Sequence, residues 1–183
     1  MTYSPVYFAA RYGIHIGGML SLLAVASLLS QTSIIASIFE YIMMFVILFN
    51  VLMQLRAVYT LSNETLRVGD MWLQGFLTFV FGSLISSLVA YIVLTFFMPT
   101  FIYDSVMRLL EVYDQMKQPE IQQMAEVLRK ATDAGALPTN IQICVTMFFF
   151  TTFLGSLCSL MVSLLIRFVL KGFEHKNIQK NAQ

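Results

Sequence analysis

Four apolar runs, each long enough to cross a lipid bilayer, constrain this chain more than any other feature. A hydrocarbon core about 30 Å thick is crossed by a helix of about 20 apolar residues. The runs cover residues 6–29, 34–55, 71–98 and 142–166. They predict an all-α integral membrane protein, in which a single membrane domain over residues 1–183 contains four transmembrane helices.

The composition supports this class and narrows the range of partners. Of the 183 residues, 58% are hydrophobic and 11% are charged, whereas soluble domains carry about 25% charged residues. A water-soluble fold of this length could not bury so much apolar surface, so the lipid bilayer is the first partner. The formal net charge of +1 gives no indication of a nucleic-acid partner.

The segment between the third and fourth runs, residues 99–141, differs from the rest of the chain. Its apolar residues recur at helical spacing on both sides of Pro119, a favoured first residue of a helix. We therefore predict a two-helix insert that is broken near Lys117-Gln118-Pro119 and ends near Gly135. Its apolar side chains should face each other or the bilayer surface; these are Ile102, Leu109, Leu110, Ile121, Met124 and Leu128.

Two interpretations of this insert stay open. It is either a lid that packs on the helices or lies in the membrane interface, or a docking surface for another protein. An ion or substrate site is a third, weaker alternative. The candidate docking residues are acidic and should face water or a partner; they are Asp114, Glu120, Glu126 and Asp133.

The distribution of Lys and Arg predicts how the chain is threaded, because these residues mark the cytoplasmic side of short loops. With four spans, seven of them fall on the side of the termini: Arg11, Arg56, Arg67, Arg167, Lys171, Lys176 and Lys180. Four fall on the other side: Arg108, Lys117, Arg129 and Lys130. Both termini and the tail 167–183 are therefore predicted to be cytoplasmic, and the 99–141 insert extracytoplasmic.

Five polar residues inside the apolar runs are candidate intramembrane site residues, because polar groups in hydrocarbon are costly and usually paired. Depth along the first two helices mirrors about the turn near Gln31, so Arg11 and His15 should approach Asn50 or Gln54. Glu40 lies at another depth. It is expected to be either a neutral acid bonded to a serine or threonine, or a proton- or cation-handling site.

The sequence carries no pattern typical of catalysis. It has no metalloprotease helix, phosphate-binding loop or serine–histidine–aspartate set, so we predict a non-enzymatic protein without catalytic residues, cofactor or metal site. Cys144 and Cys158 lie about 21 Å apart on one helix, too far for a disulfide.

Small residues recur along three of the predicted helices and should let their backbones approach closely. The stripes are Gly13, Gly17, Ser21 and Ala24; Gly75, Gly82, Ser86 and Ala90; and Gly155, Ser159 and Ser163. Together they favour a compact bundle.

The third run, WLQGFLTFVFGSLISSLVAYIVLTFFMPTF, resembles a family of small bacterial membrane proteins. The resemblance rests on Trp72, Gly75 and Phe76 at its entry, on Gly82 and Ser87 within it, and on the Pro99-Thr100-Phe101 exit. The family is catalogued as domain of unknown function family 4199. The resemblance implies a four-span fold over nearly the whole chain and brings no established activity. It also suggests a membrane glycosyltransferase as a partner protein.

These observations favour a non-enzymatic protein of the bacterial inner membrane that acts as an accessory or scaffold subunit for a membrane partner, with a glycosyltransferase as one candidate. The alternative is a small transporter or ion pathway that uses the intramembrane carboxylate of Glu40. Homo-oligomerisation stays open.

Overall fold

The computed structural model describes residues 5–30, 34–61, 67–116 and 118–181, with side chains described between residues 6 and 168. This part of the chain is all-helical. The α-helices are α1 (Pro5–Ser30), α2 (Ile34–Leu61), α3 (Val68–Ile92), α4 (Phe101–Gln115), α5 (Pro119–Asp133) and α6 (Asn140–Asn181). Four helical segments are long and apolar enough to cross a membrane: Val6–Ser30, Ile34–Leu61, Val68–Phe97 and Asn140–Phe168. The predicted all-α class with four long apolar helices is confirmed.

The long helices extend past the apolar runs because hydropathy falls at the bilayer surface while the backbone hydrogen bonding continues. At the start of α3, the Asp70 carboxylate accepts a 3.1 Å hydrogen bond from the Arg67 N–H. At the start of α6, Gln142 Oε1 accepts from the Thr139 N–H at 2.9 Å and the Gln142 N–H donates to Thr139 Oγ1 at 3.4 Å. This capping box satisfies two amides that the helix leaves free.

The central helix of the bundle is α3, which packs against α1 on one side and α6 on the other. Its contact with α1 is made through glycine. A Cβ placed on Gly82 would lie 3.1 Å from the Ile16 side chain and 3.3 Å from the Gly17 backbone. Without side chains at Gly17 and Gly82, the two helices run parallel at close range, as the small-residue stripes predict.

The contact between α3 and α6 is antiparallel. Gly75 lies against Ser159, and Phe79 lies against Gly155. All members of the three predicted small-residue stripes are buried. The prediction that they line the helix contacts of a compact bundle is therefore confirmed.

Two clusters of buried side chains lie at opposite ends of the bundle. One cluster lies toward the first half of α3 and joins all four long helices. It comprises Ile16, Leu20, Ile47, Val51, Leu55, Met71, Phe79, Val162 and Ile166. The other lies near the exit of α3 and comprises Ala24, Ala90, Leu94 and Cys144. The second cluster contains no residue of α2, so α2 is integrated into the core at one end only.

The third long helix leaves the bundle through a π-helical turn, Val93–Phe97. The Met98 N–H donates to the Val93 carbonyl at 3.0 Å, five residues back. The next residue, Pro99, has no N–H to donate and cannot continue the helix. The chain turns here and enters α4 at Phe101, which packs against the second core cluster.

Helices α4 and α5 form a hairpin whose packing is mainly internal. Leu110 and Ala125 are its buried residues, at 6% and 3% exposure. Arg129 Nη2 donates to both carboxylate oxygens of Asp114 at 2.5 Å, which ties the two helices together. The helices are interrupted at 116–118, where Lys117 lies outside the described residues, and Gly135 follows α5 with a φ of 64°, the left-handed backbone that favours glycine.

Candidate functional site

The polar pair inside the bundle lies on a single helix. Gln54 Nε2 donates to Asn50 Oδ1 at 2.9 Å, one turn apart on α2. Both side chains are half-buried. Hydrogen bonds between neighbouring turns of one helix satisfy polar groups in an apolar setting without needing a second helix.

The predicted approach of Arg11 and His15 to this pair is wrong within the described part of the chain. Both side chains are exposed and neither makes a hydrogen bond there. Each lies two residues from Gly13, which touches α3, and two residues are about 200° of helix rotation. Both therefore point away from the packed side of α1, where Tyr12 lies beside Gln54 instead.

The cavity between Tyr12 and Gln54 is very small. It has a volume of about 10 Å³ and is also lined by Thr78 and by apolar residues of α2 and α3. A space of this size is at the lower limit for one water molecule. It therefore offers no room for a substrate inside the bundle at this point.

Glu40 stands apart from the other intramembrane candidates, as its depth predicts. It is half-buried on α2, six residues or about 9 Å of helix from Ile34. The expected hydrogen bond to a serine or threonine is not formed among the described residues. At this end of the bundle α2 contributes no residue to the buried cluster.

The four acidic docking candidates are all exposed, but they differ in their partners. Asp114 is held by Arg129 and Glu126 by Lys130 at 2.8 Å. Glu120 and Asp133, at the two ends of α5, form no ion pair or hydrogen bond with any residue described. Two of the carboxylates are therefore paired within the hairpin, and the other two are available to a partner.

The pairing of Glu126 changes its acidity. The hydrogen bond and the positive charge of Lys130 lower the pKa of the Glu126 carboxyl below its ordinary value of 4.5. Hydrogen bonding to the ionised form of a carboxylate favours that form. The pair follows the four-residue spacing that brings side chains together on a helix surface.

Six apolar side chains of the hairpin were predicted to face each other or the bilayer surface, and four of them are covered in the structure. Leu110 is buried as predicted, and Ile102, Ile121 and Leu128 are half-buried. The other two residues of the set are exposed: Leu109 is 41% exposed and Met124 is 62% exposed. Two helices in contact bury only one stripe each, and Ala125 occupies that stripe on α5.

Several polar contacts between α3 and α6 were not predicted. Trp72 Nε1 donates to the Ser156 carbonyl at 3.2 Å and lies 3.1 Å from Ser156 Oγ. The hydroxyls of Ser83 and Thr152 are 2.7 Å apart. The sequence shows polar residues in both helices, but it does not reveal which of them face each other before the helix register is known.

The fold and these contacts define a four-helix protein of the multi-pass membrane class, with a charged helical hairpin between its third and fourth long helices. The family model described as "Protein of unknown function (DUF4199)" matches residues 11–167, which is more than half of the chain. The protein belongs to this family, and the resemblance seen in the sequence is confirmed. Neither the curated proteins nor the solved structures contain a match to it.

Proposed function

We propose that this protein is a non-enzymatic accessory or scaffold subunit of the bacterial inner membrane, and that its α4–α5 hairpin docks a membrane partner. In this proposal both termini are cytoplasmic and the hairpin is extracytoplasmic. The proposal is supported by the position of the arginines. Arg11, Arg56, Arg67 and Arg167 lie toward one end of the bundle, and the hairpin is at the other, in keeping with the bias of positive charge toward the cytoplasm.

The observation that carries the proposal is that the hairpin folds on itself rather than on the bundle. The burial of Leu110 and the ion pair between Asp114 and Arg129 give it a defined shape. Apolar side chains are left uncovered on both helices, including Leu109 of α4 at 41% exposure and Val127 of α5 at 68%. A structured element that leaves apolar and charged side chains exposed is typical of an interaction module.

The charge of the hairpin indicates the chemistry of its partner. Glu120 and Asp133 are unpaired among the residues described, so they can accept charged hydrogen bonds from another molecule. Complementary potentials steer association and fix orientation. A partner with basic residues at the membrane surface fits best, and a membrane glycosyltransferase is the candidate that the family resemblance suggests.

The sharpest test compares two double substitutions in the full-length protein. Glu120→Lys with Asp133→Lys reverses the two available carboxylates, whereas Asp114→Arg with Arg129→Asp exchanges the members of an internal pair. Each tagged variant would be purified from its own host in a gentle detergent, and co-purifying proteins would be quantified by mass spectrometry. The first variant should lose a protein that the wild type and the exchanged variant retain. Equal recovery of that protein by all three would overturn the docking proposal.

A second function is favoured by one observation, the half-buried and unbonded state of Glu40 in the described part of the chain. A carboxylate near the end of a membrane helix can bind a proton or a cation. This alternative needs further polar groups, which a second copy or a partner would have to supply. Glu40→Gln should abolish proton or sodium flux into proteoliposomes if the protein is a transporter, and should leave partner recovery unchanged.

A further inference from the structure

A cleft lies at the base of the hairpin, between the end of α1 and the first turns of α4. Its volume is about 220 Å³. Sites for drug-sized ligands measure about 300–1,000 Å³, so this cleft accommodates a smaller chemical group. It is lined by Leu28, Phe97, Met98, Pro99, Thr100, Phe101, Asp104, Ser105 and Arg108.

One wall of the cleft is polar and carries both signs of charge. Asp104 and Arg108 are one helical turn apart on α4, a spacing at which they could pair. They form no ion pair with each other; instead Thr100 Oγ1 donates to Asp104 Oδ2 at 2.8 Å. The Arg108 guanidinium has no hydrogen-bond acceptor among the described residues. The wall therefore presents a cation and an anion side by side.

The rest of the lining is largely apolar and includes residues at the ends of two spanning segments. Phe97 lines the cleft and is 77% exposed, and its neighbour Phe96 is 74% exposed. Leu28 lies two residues from the last residue of α1. The cleft thus lies where two spanning segments end, which corresponds to the boundary between hydrocarbon and headgroups.

We propose that this cleft binds the headgroup of an amine-bearing phospholipid. Arg108 would hold the phosphate, because guanidinium groups form short charge-assisted hydrogen bonds with phosphate oxygens. Asp104 would accept hydrogen bonds from the primary ammonium, and the acyl chains would lie along Phe97 and Leu28. This assignment does not depend on the identity of a protein partner or on the side of the membrane that the hairpin occupies.

The proposal can be tested by lipid retention on the full-length protein. The purified protein would be mixed in detergent with phosphatidylethanolamine, phosphatidylglycerol or diacylglycerol of the same chains, and bound lipid would be counted by native mass spectrometry. The wild type should retain phosphatidylethanolamine best and diacylglycerol least. Arg108→Gln should lower the retention of both phospholipids by about tenfold, the effect of losing one charge-assisted contact. Asp104→Asn should remove the preference for the amine and keep phosphatidylglycerol bound.

Matched control variants lie on the same hairpin outside the cleft. Lys130→Gln and Glu111→Gln remove one cation and one anion and should retain lipid as the wild type does. Equal losses in the controls, or equal retention of diacylglycerol and phosphatidylethanolamine by the wild type, would overturn the proposal. Competition by glycerophosphoethanolamine at the same concentration as the lipid would also overturn it, since the site would then take a soluble compound.

Discussion

Gly75 of α3 and Ser159 of α6 are in direct contact where the two antiparallel helices pack against each other. A Cβ on Gly75 would lie 2.5 Å from both the Cβ and the Oγ of Ser159. Real Cβ atoms do not approach this closely, so any side chain at position 75 would force the helices apart. Ser159 is itself fully buried, and it cannot turn away into solvent.

Gly75→Ala should therefore destabilise the bundle. Overpacking of a filled interior costs about 1–3 kcal/mol, and in a chain of this size that lowers the melting temperature by several degrees. Thermal unfolding in detergent, followed by the loss of the monodisperse elution peak, measures the effect. Gly18→Ala is the matched control, because a Cβ on Gly18 meets no atom within 4 Å.

The contact itself is tested by second substitutions in the Gly75→Ala background. Ser159→Gly removes the clashing Cβ and should restore most of the lost stability. Ser159→Ala keeps that Cβ and should not restore it. A Gly75→Ala protein that melts with the wild type would show that α3 and α6 are not packed as described.

The small-residue stripes show how far the sequence could lead. Glycine and serine at helical spacing in apolar runs have few other uses than close helix packing, so their burial could be predicted. The helix against which each small residue packs could not be predicted. Gly75 faces α6 whereas Gly82 faces α1, and the choice depends on how α3 is rotated between the two helices. That rotation is set by many small contacts, which no single residue pattern encodes.

The predicted approach of Arg11 to Asn50 was wrong for the same reason. The prediction compared only the positions of Arg11 and Asn50 along the helix axes. Whether two side chains meet also depends on their direction, and Arg11 points away from the side of α1 that Gly13 fixes. In the hairpin, Leu109 and Leu110 both fit an apolar periodicity, yet only Leu110 lies in the narrow stripe between the helices.

The difference between these two leucines gives a prediction about the hairpin. Leu110→Ala removes a side chain that is only 6% exposed, and large-to-small changes at buried sites cost about 2–5 kcal/mol. The amides of α5 should then exchange with deuterium faster, as measured by hydrogen-exchange mass spectrometry. Leu109→Ala, at a position that is 41% exposed, is the control and should leave α5 protected. Equal exchange in the two variants would contradict the internal packing of the hairpin.

The Glu126–Lys130 pair leads to a prediction about pH. Lys130 lowers the pKa of the Glu126 carboxyl from its ordinary value of 4.5. The contribution of such a carboxylate to stability is present above its pKa in the unfolded chain and is lost as the pH falls through its lower pKa in the folded protein. Because both side chains are largely exposed, high salt should weaken the interaction.

A carbon NMR titration of labelled glutamate side chains in the full-length protein can measure this shift. Glu126 should titrate below 4.5 in the wild type. In Lys130→Gln its midpoint should move upward, since both the hydrogen bond and the positive charge are gone. An unchanged midpoint would mean that the pair does not form in solution.

The threading of the chain is the prediction on which the placement of the hairpin depends. It rests on the seven Lys and Arg residues toward the termini against four in the insert. In the structure, α1 and α3 run in the same direction, and α2 and α6 run in the opposite direction. The start of α1, the end of α2 and the start of α3 therefore lie on the same side of the bundle. A reporter fused after Gln118 should be active outside the cytoplasm, and one fused after Gln183 should be active inside. Signals from the cytoplasm at both positions, or the reverse pair, would refute this threading.

Replacing Arg56 and Arg67 with Gln is the sharper version of the experiment. It removes positive charge from the end of α2 and from the residue before α3, both exposed positions outside the buried core. It should therefore raise the fraction of inverted molecules if charge sets the orientation.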